Sequence, residues 1–271
     1  MRILRIAVAG LFIVTLCLFI FFYIQTIDLD KTIPEITIPP GILEVSLSAD
    51  RSELLQGLSA YDKKDGDLTD TIIIESISRF TEPGVAMVTY AVCDSDNHVG
   101  SASRKIRYID YTAPKFTMND SLVFSTLENP QVLDILGAFD VIDGNISDKV
   151  IISATDYVSN TVGTFTISAK VANSKGDVIY IQLPIYIEEQ SLSAPKITLQ
   201  DYLIYLPAGS TYDLNTNLLS AIDSTGADLR AQTQIDTNLD LNTPGTYQVH
   251  YFVTDAKGRR SHAVLTVIVE N

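Results

Sequence analysis

Tryptophan is absent from this chain, cysteine occurs twice, histidine three times, and basic residues are outnumbered by acidic ones. Each shortage removes a class of function. Without tryptophan there is no indole platform for stacking a sugar ring; Tyr202, Tyr205 and Tyr212 cluster late in the chain, but tyrosine in a β-sandwich more often serves as half-buried packing. Cys17 and Cys93 lie in segments that cannot meet, so there is no internal disulfide framework and the fold must hold by packing. His98, His250 and His262 fall in a turn, on an outer strand face and at a strand start, none at metal-ligand spacing. With 33 acidic against 19 basic residues and a net charge of −14, the chain has no basic face to displace phosphate counterions, which argues against nucleic acid as a partner. The same balance argues against adsorption of the folded part to anionic lipid headgroups. Gly-x-Ser-x-Gly, His-Glu-x-x-His and a phosphate-cradling glycine loop are all missing, so the expectation is a protein that is not an enzyme.

One long hydrophobic run is present. Arg2 and Arg5 precede a charge-free stretch, residues 6–27, and Asp28 and Asp30 follow it. At a helical rise of ~1.5 Å per residue, about 20 such residues cross a ~30 Å hydrocarbon core. Arginines before the run and carboxylates after it predict residues 1–5 as a cytoplasmic stub and 6–27 as a transmembrane signal anchor, with the rest outside. A cleaved signal peptide is the rival reading, but the FFYIQTIDLDK that follows Ile20 offers no small residues at cleavage spacing. Leu16 before Cys17 disfavours a lipoprotein, and no acidic residue stands early in the run as a pilin-like start would require.

Beyond the run the chain repeats itself. AYDKKDGDLTD (60–70), AFDVIDGNISD (138–148) and AIDSTGADL (221–229) are each followed by a glycine-led alternating strand. From Gly84 to Gly163 is 79 residues and from Gly163 to Gly245 is 82, a period that suits a string of small domains rather than a helical solenoid. Ala86, Val88, Tyr90 and Val92 share one strand face, as do Phe165, Ile167, Ala169 and Val171, and Tyr247, Val249, Tyr251 and Val253. Period two with β-branched and aromatic residues on one side means a sheet packed on one face. The predicted organisation is a Pro-containing spacer at 28–41, then domains at 42–113, 114–194 and 195–271. The joints Tyr111-Thr-Ala-Pro114 and Ser191-Leu-Ser-Ala-Pro195 should be short and semi-rigid.

The pattern Ala60-x-Asp62-x-x-Asp65-Gly66-Asp67-Leu68-Thr69, then Pro83-Gly84, then an alternating strand ending on Asp with Asn or Gly after it, resembles bacterial immunoglobulin-like surface domains. These include the Ig-like module of some pesticidal crystal proteins and of many secreted Firmicutes proteins. The first repeat carries the pattern most fully, from Leu54 to Pro114; the third keeps Thr243-Pro244-Gly245-Thr246-Tyr247 without the Asp-Gly-Asp core, and the second is intermediate. The resemblance implies a surface location and no common catalytic activity. The expected fold is all-β: three tandem Ig-like antiparallel β-sandwiches after one N-terminal transmembrane helix, with no further helix.

Asp62, Asp65, Asp67 and Asp70 form the one candidate metal site, since a hard cation such as calcium wants several carboxylate oxygens. The competing reading is an Asx-rich turn bonded to its own backbone, favoured because the later repeats lose carboxylates yet keep the surrounding pattern. No other cofactor is expected. Tyr247, two residues past Gly245, is a candidate tyrosine corner, and Cys93 lies opposite Val88, Tyr90 and Val92 as a thiol at the solvent edge. The chain ends soon after a strand with no sorting signal or appended enzyme, so the third module is expected at the tip as the contact surface. The expected function is a membrane-anchored extracellular spacer, adhesion or protein-interaction module whose partner is an extracellular protein or cell-wall component. The alternative is a structural subunit of a larger cell-envelope or secretion assembly.

Overall fold

A computed structural model of the chain describes residues 2–27 and 31–271, with side chains described for 6–23 and from 31 onward. Asp28 and Asp30, and the side chains of Arg2 and Arg5, lie outside the described residues. Arg2–Ile27 is a single helix, and its stretch Ile6–Tyr23, with a mean hydropathy of 2.7, is long and apolar enough to cross a membrane. The Thr15 hydroxyl is satisfied within the helix, Oγ1 donating to the carbonyls of Leu11 and Phe12 at 3.1 and 2.9 Å.

Almost all the other regular structure among the described residues is β-strand, and the chain divides into two compact units, 1–110 and 111–271. In the first, Glu35–Thr37, Ser59–Asp62 and Gly66–Asp67 make one sheet; Leu43–Val45, Val99–Tyr108, Val85–Cys93 and Ile73–Ile77 make the other, in that order. Between them Ala86, Val88, Tyr90 and Val92, the inward set that the alternation predicts, are buried together with Ile106. The core also takes in an arginine. Tyr90 hydroxyl donates to Leu54 O at 2.7 Å and accepts from Arg104 Nε at 2.9 Å, while the Arg104 guanidinium reaches Gln56 O at 2.9 Å and Leu54 O at 2.5 Å.

Residues 28–41 are not all spacer. Glu35–Thr37 pairs antiparallel with Ser59–Asp62 and Ile36 is buried, so the first sandwich begins inside the stretch read as a linker. Pro34, Pro39 and Pro40 flank this short strand, and the amide donors they lack fall outside its ladder. Gly100 makes the close approach possible, because a Cβ there would stand 1.8 Å from Pro34 O. Among the described residues two single-turn α-helices also occur beyond the N-terminal one. Arg51–Leu55 starts on a capping box in which Asp50 accepts from the Ser52 and Glu53 amides at 2.8 and 3.0 Å; the other is Val132–Ile135.

The second unit holds two sandwiches. In one, Gly144–Asn145, Leu136–Asp140 and Lys115–Met118 face the sheet Ile151–Thr155, Gly163–Ala172, Val178–Glu188 and Val123–Ser125. In the other, Lys196–Leu199 and Leu218–Ile222 face Leu203–Pro207, Arg260–Glu270, Gly245–Thr254 and Gln234–Thr237. Each four-stranded sheet departs from a purely antiparallel arrangement by one parallel pair: Leu43–Val45 with Val99–Tyr108, Val123–Ser125 with Val178–Glu188, and Leu203–Pro207 with Arg260–Glu270. The cause is a switch of sheets: the chain lays a first strand in the smaller sheet, then crosses to run alongside the last strand of the larger one.

These two sandwiches are packed together as well as joined by a linker. Met118 contacts both cores, Phe116 N donates to Tyr205 Oη at 3.0 Å, Val264 N donates to Ser121 Oγ at 2.6 Å, and Lys115 pairs with Glu270 at 2.9 Å. Sequence alone predicts only the proline joint.

Candidate functional site at the acidic loop ends

The strand Ser59–Asp62 ends on a carboxylate that folds the next residues around itself. Asp62 Oδ1 accepts from the amides of Lys64 and Asp65 at 2.7 and 3.0 Å, Oδ2 accepts from Thr32 Oγ1 at 3.1 Å, and Asp62 is 1% exposed. Gly66, at φ +78°, completes the reversal. The facing loop repeats the device: Asp94 Oδ1 accepts from the Asp96 and His98 amides at 2.9 and 2.7 Å, and Oδ2 lies 2.8 Å from His98 Nδ1. Burial pushes the Asp94 carboxyl up, but the bonds and charge from His98 outweigh it and hold the group below the usual carboxylate range.

Asp65 connects the loops, accepting from both the amide and the hydroxyl of Ser95 at 2.8 Å. Asp67 turns instead to Thr69, whose amide donates to it at 2.9 Å; the Thr69 hydroxyl and amide hold its carboxyl below the usual range. Asp70 is exposed on the single 3-10 turn Thr69–Thr71, and Lys64 Nζ sits 2.5 Å from Asp96 Oδ2. The four predicted carboxylates therefore do not converge. Among the described residues no three His, Cys, Asp or Glu side chains are grouped to hold a metal ion.

The second module builds the same end with different groups. Asp140 Oδ1 accepts from the Ile142 and Asp143 amides, each at 2.9 Å, and Asp143 accepts from the Ser174 amide and hydroxyl, each at 2.6 Å. Asn173 stands where the first module has Asp94, and its Nδ2 donates to Asp140 Oδ2 at 3.1 Å and Tyr111 Oη at 3.0 Å. Tyr111 in turn donates to Asp177 at 2.5 Å; burial, then Asp177, push its phenol well above the ordinary range. In the third module Asp223 accepts from the Thr225 and Ala227 amides at 2.8 and 2.9 Å.

The other sequence candidates fall as follows. Tyr247 Oη donates to Thr243 O at 2.8 Å, the corner bond expected of it. Cys93 is an exposed free thiol. The histidines, unpartnered in the sequence reading, are all engaged: His98 with Asp94, and His250 with His262, which also meets Glu188. Tyr202 is buried in the third core and Tyr205 serves as acceptor for Phe116, so neither is a free sugar platform. What the sequence did not flag is an open sheet face in the second module. Ile151, Val178 and Tyr180 are exposed there, Tyr180 by 72%, beside a cleft of about 680 Å³ lined by Lys115, Gln182, Tyr205 and Glu270.

Residues 198–269 match the family described as bacterial surface protein, Ig-like domain. That match falls on the module with the weakest acidic turn. An uncharacterised 81.3 kDa protein of Acholeplasma phage L2 is 23% identical over 193 residues, covering 69% of this chain and 25% of that protein. Pesticidal crystal protein Cry22Aa of Bacillus thuringiensis is 29% identical over 140 residues, 49% of this chain and 18% of its own length. The chain thus spans a quarter or less of these relatives. Among solved structures, the CBM51-2 and INT domains of Clostridium perfringens ZmpB, in complex with GlcNAc, align with a TM-score of 0.26 and 18% identity over 55% of this chain and 26% of that one. The lipoprotein BT2262 of Bacteroides thetaiotaomicron aligns at 0.23 and 13% over 58% of this chain and 80% of that one.

Proposed function

We propose that the chain is a single-pass membrane protein whose Ig-like sandwiches stand outside the cell as a non-enzymatic module for spacing and for contact with another protein. The observation that carries this reading is the helix Arg2–Ile27. Every described side chain from 6 to 23 is exposed and none enters a sandwich core, so lipid is the surrounding that satisfies it. The likeness of residues 198–269 to bacterial surface domains supports an outer location for the folded part. The loop-end carboxylates, spent on their own turns, support a scaffolding role over a catalytic one.

Partner contact is assigned to the face at Ile151, Val178 and Tyr180. Counting from Gly163 and Gly245, Lys170 paired with Tyr180 corresponds to Phe252 paired with His262, and in the third module that face is where the second module docks. The same fold thus already uses this face to bind protein. Alkaline washing of membranes, then protease treatment of intact cells expressing the full chain with a C-terminal tag, tests the reading. The expected result is a full-length chain in the pellet with its tag digested from outside. A soluble chain shortened by the helix would mean a leader peptide, and a tag protected in intact cells would place the sandwiches inside.

A further inference from the structure

The junction between the second and third sandwiches holds a hydrogen-bonded line of titratable groups. Glu188 ends the strand Val178–Glu188; its Oε1 lies 2.8 Å from His262 Nδ1, and His262 Nε2 lies 2.9 Å from His250 Nδ1. His262 is 6% exposed and His250 half-buried. Tyr186 stands edge-on to both imidazoles, Phe252 stacks on His262 at 4.4 Å, and Arg260 lies 4.0 Å over the Phe252 ring. Asp236 faces His250 from the strand Gln234–Thr237. Glu188, Asp236 and Arg260 are thus the charged groups around the pair, and Tyr186 is a further titratable one.

The protons can be counted. An ionised Glu188 only accepts, so His262 Nδ1 carries a hydrogen. In neutral His262, Nε2 is then an acceptor and His250 Nδ1–H donates to it. One extra proton fits: His262 becomes an imidazolium that donates at both nitrogens, and His250 takes the tautomer whose Nδ1 accepts. A second extra proton does not fit, because two N–H groups on two cations then face each other across 2.9 Å.

We infer that the His250–His262 pair is a proton-operated latch that keeps the second and third modules docked until it takes up a second extra proton. The third module alone carries it, since Thr89 and Ser168 hold the position of His250 in the other repeats. Burial and the neighbouring His262 hold the His250 imidazole below its ordinary range. The sign follows: such a group stabilises fully above the unfolded value of about 6.5, and that stability is lost as pH falls through the folded one. Glu188 stays ionised through this window, because the His262 hydrogen bond holds its carboxyl below the usual range.

Hydrogen exchange of the full chain in detergent, resolved to single amides, reads the latch at Val264, whose amide leaves its own sheet to donate to Ser121 Oγ across the junction. From about pH 7.5 to about pH 5.5, after correction for intrinsic exchange, protection of that amide is expected to fall about tenfold while the amides bonded within each module's own sheets keep theirs. His250→Gln, which can donate and accept but cannot charge, is expected to flatten the profile. Unchanged wild-type protection, or the same fall in His250→Gln, overturns the latch. If His250→Gln does not fold, the wild-type profile compared with that of Glu188→Gln decides. Opening that begins at higher pH without the carboxylate supports the latch, and an identical profile overturns it.

Discussion

Ser95 donates both its amide and its hydroxyl to the Asp65 carboxylate, and Ser174 does the same to Asp143 at the corresponding place in the second module. In the third module the two positions are Gly226 and Ala256, so carboxylate and serine are absent together. Arg259 replaces them, bonding Asp255 Oδ2 at 2.7 Å and Ser224 Oγ at 2.8 Å. A pair present or absent as a unit fastens one loop to the other.

The fastening is measurable as a coupling. A double-mutant cycle on Asp143→Ala and Ser174→Ala, read by urea unfolding, should give about 1–2 kcal/mol. The Ser174 hydroxyl, against burial, holds the Asp143 carboxyl below its usual range. Its contribution should therefore be complete above the unfolded value of about 3.9 and fade as pH falls through the folded one. Strictly additive single effects at neutral pH would show the bonds to be idle.

Calcium should leave the protein alone. Asp62, Asp65 and Asp67 already accept from backbone and hydroxyl donors, and Lys64 occupies the Asp96 side of the loops with its own charge. Exchanging chelator for about 2 mM calcium is expected to shift Tm by less than about 1 °C. A larger rise that Asp65→Asn abolishes would restore the metal reading.

Gly100→Ala should open the start of the first sandwich. The new Cβ meets a backbone oxygen, Pro34 O, at 1.8 Å, so no side-chain rotation relieves it. A loss of about 1–3 kcal/mol is expected, with faster hydrogen exchange at Glu35–Thr37. Unaltered stability would mean that this strand contributes little.

Arg104→Met tests the buried cation. It strips partners from Leu54 O, Gln56 O and the Tyr90 hydroxyl inside the core. Equilibrium denaturation should register a loss of about 2–4 kcal/mol, and Arg104→Lys should recover only part of it, because an ammonium cannot reproduce the guanidinium fork.

The strands led by Gly84, Gly163 and Gly245, and the Tyr247 corner, were legible because period two and a two-residue offset are local properties of the chain. His250, Phe252 and His262 were not, because alternation says which side of a strand a residue takes and nothing about a second domain covering that side. Arg104 hid for a related reason: its charge reads as outward, and only the carbonyls of Leu54 and Gln56 make an inward place for it. Three prolines masked Glu35–Thr37, since they suggest a linker even when they merely bracket a strand. The acidic turns were visible as turns, but the serine partners of Asp65 and Asp143 lie about thirty residues on, as the 30 and 31 residue separations show.

The parallel pairs have a mechanical consequence. In each sandwich an early strand, such as Leu43–Val45, runs beside the last one, such as Val99–Tyr108, in the same direction. Tension applied at the two ends of a module pulls these strands in opposite senses along their length. The ladder is then sheared, its evenly spaced hydrogen bonds sharing the force instead of parting one after another. Leu203–Pro207 beside Arg260–Glu270 gives the third module the longest such clasp, with five paired residues, so it is the module best built to be tugged.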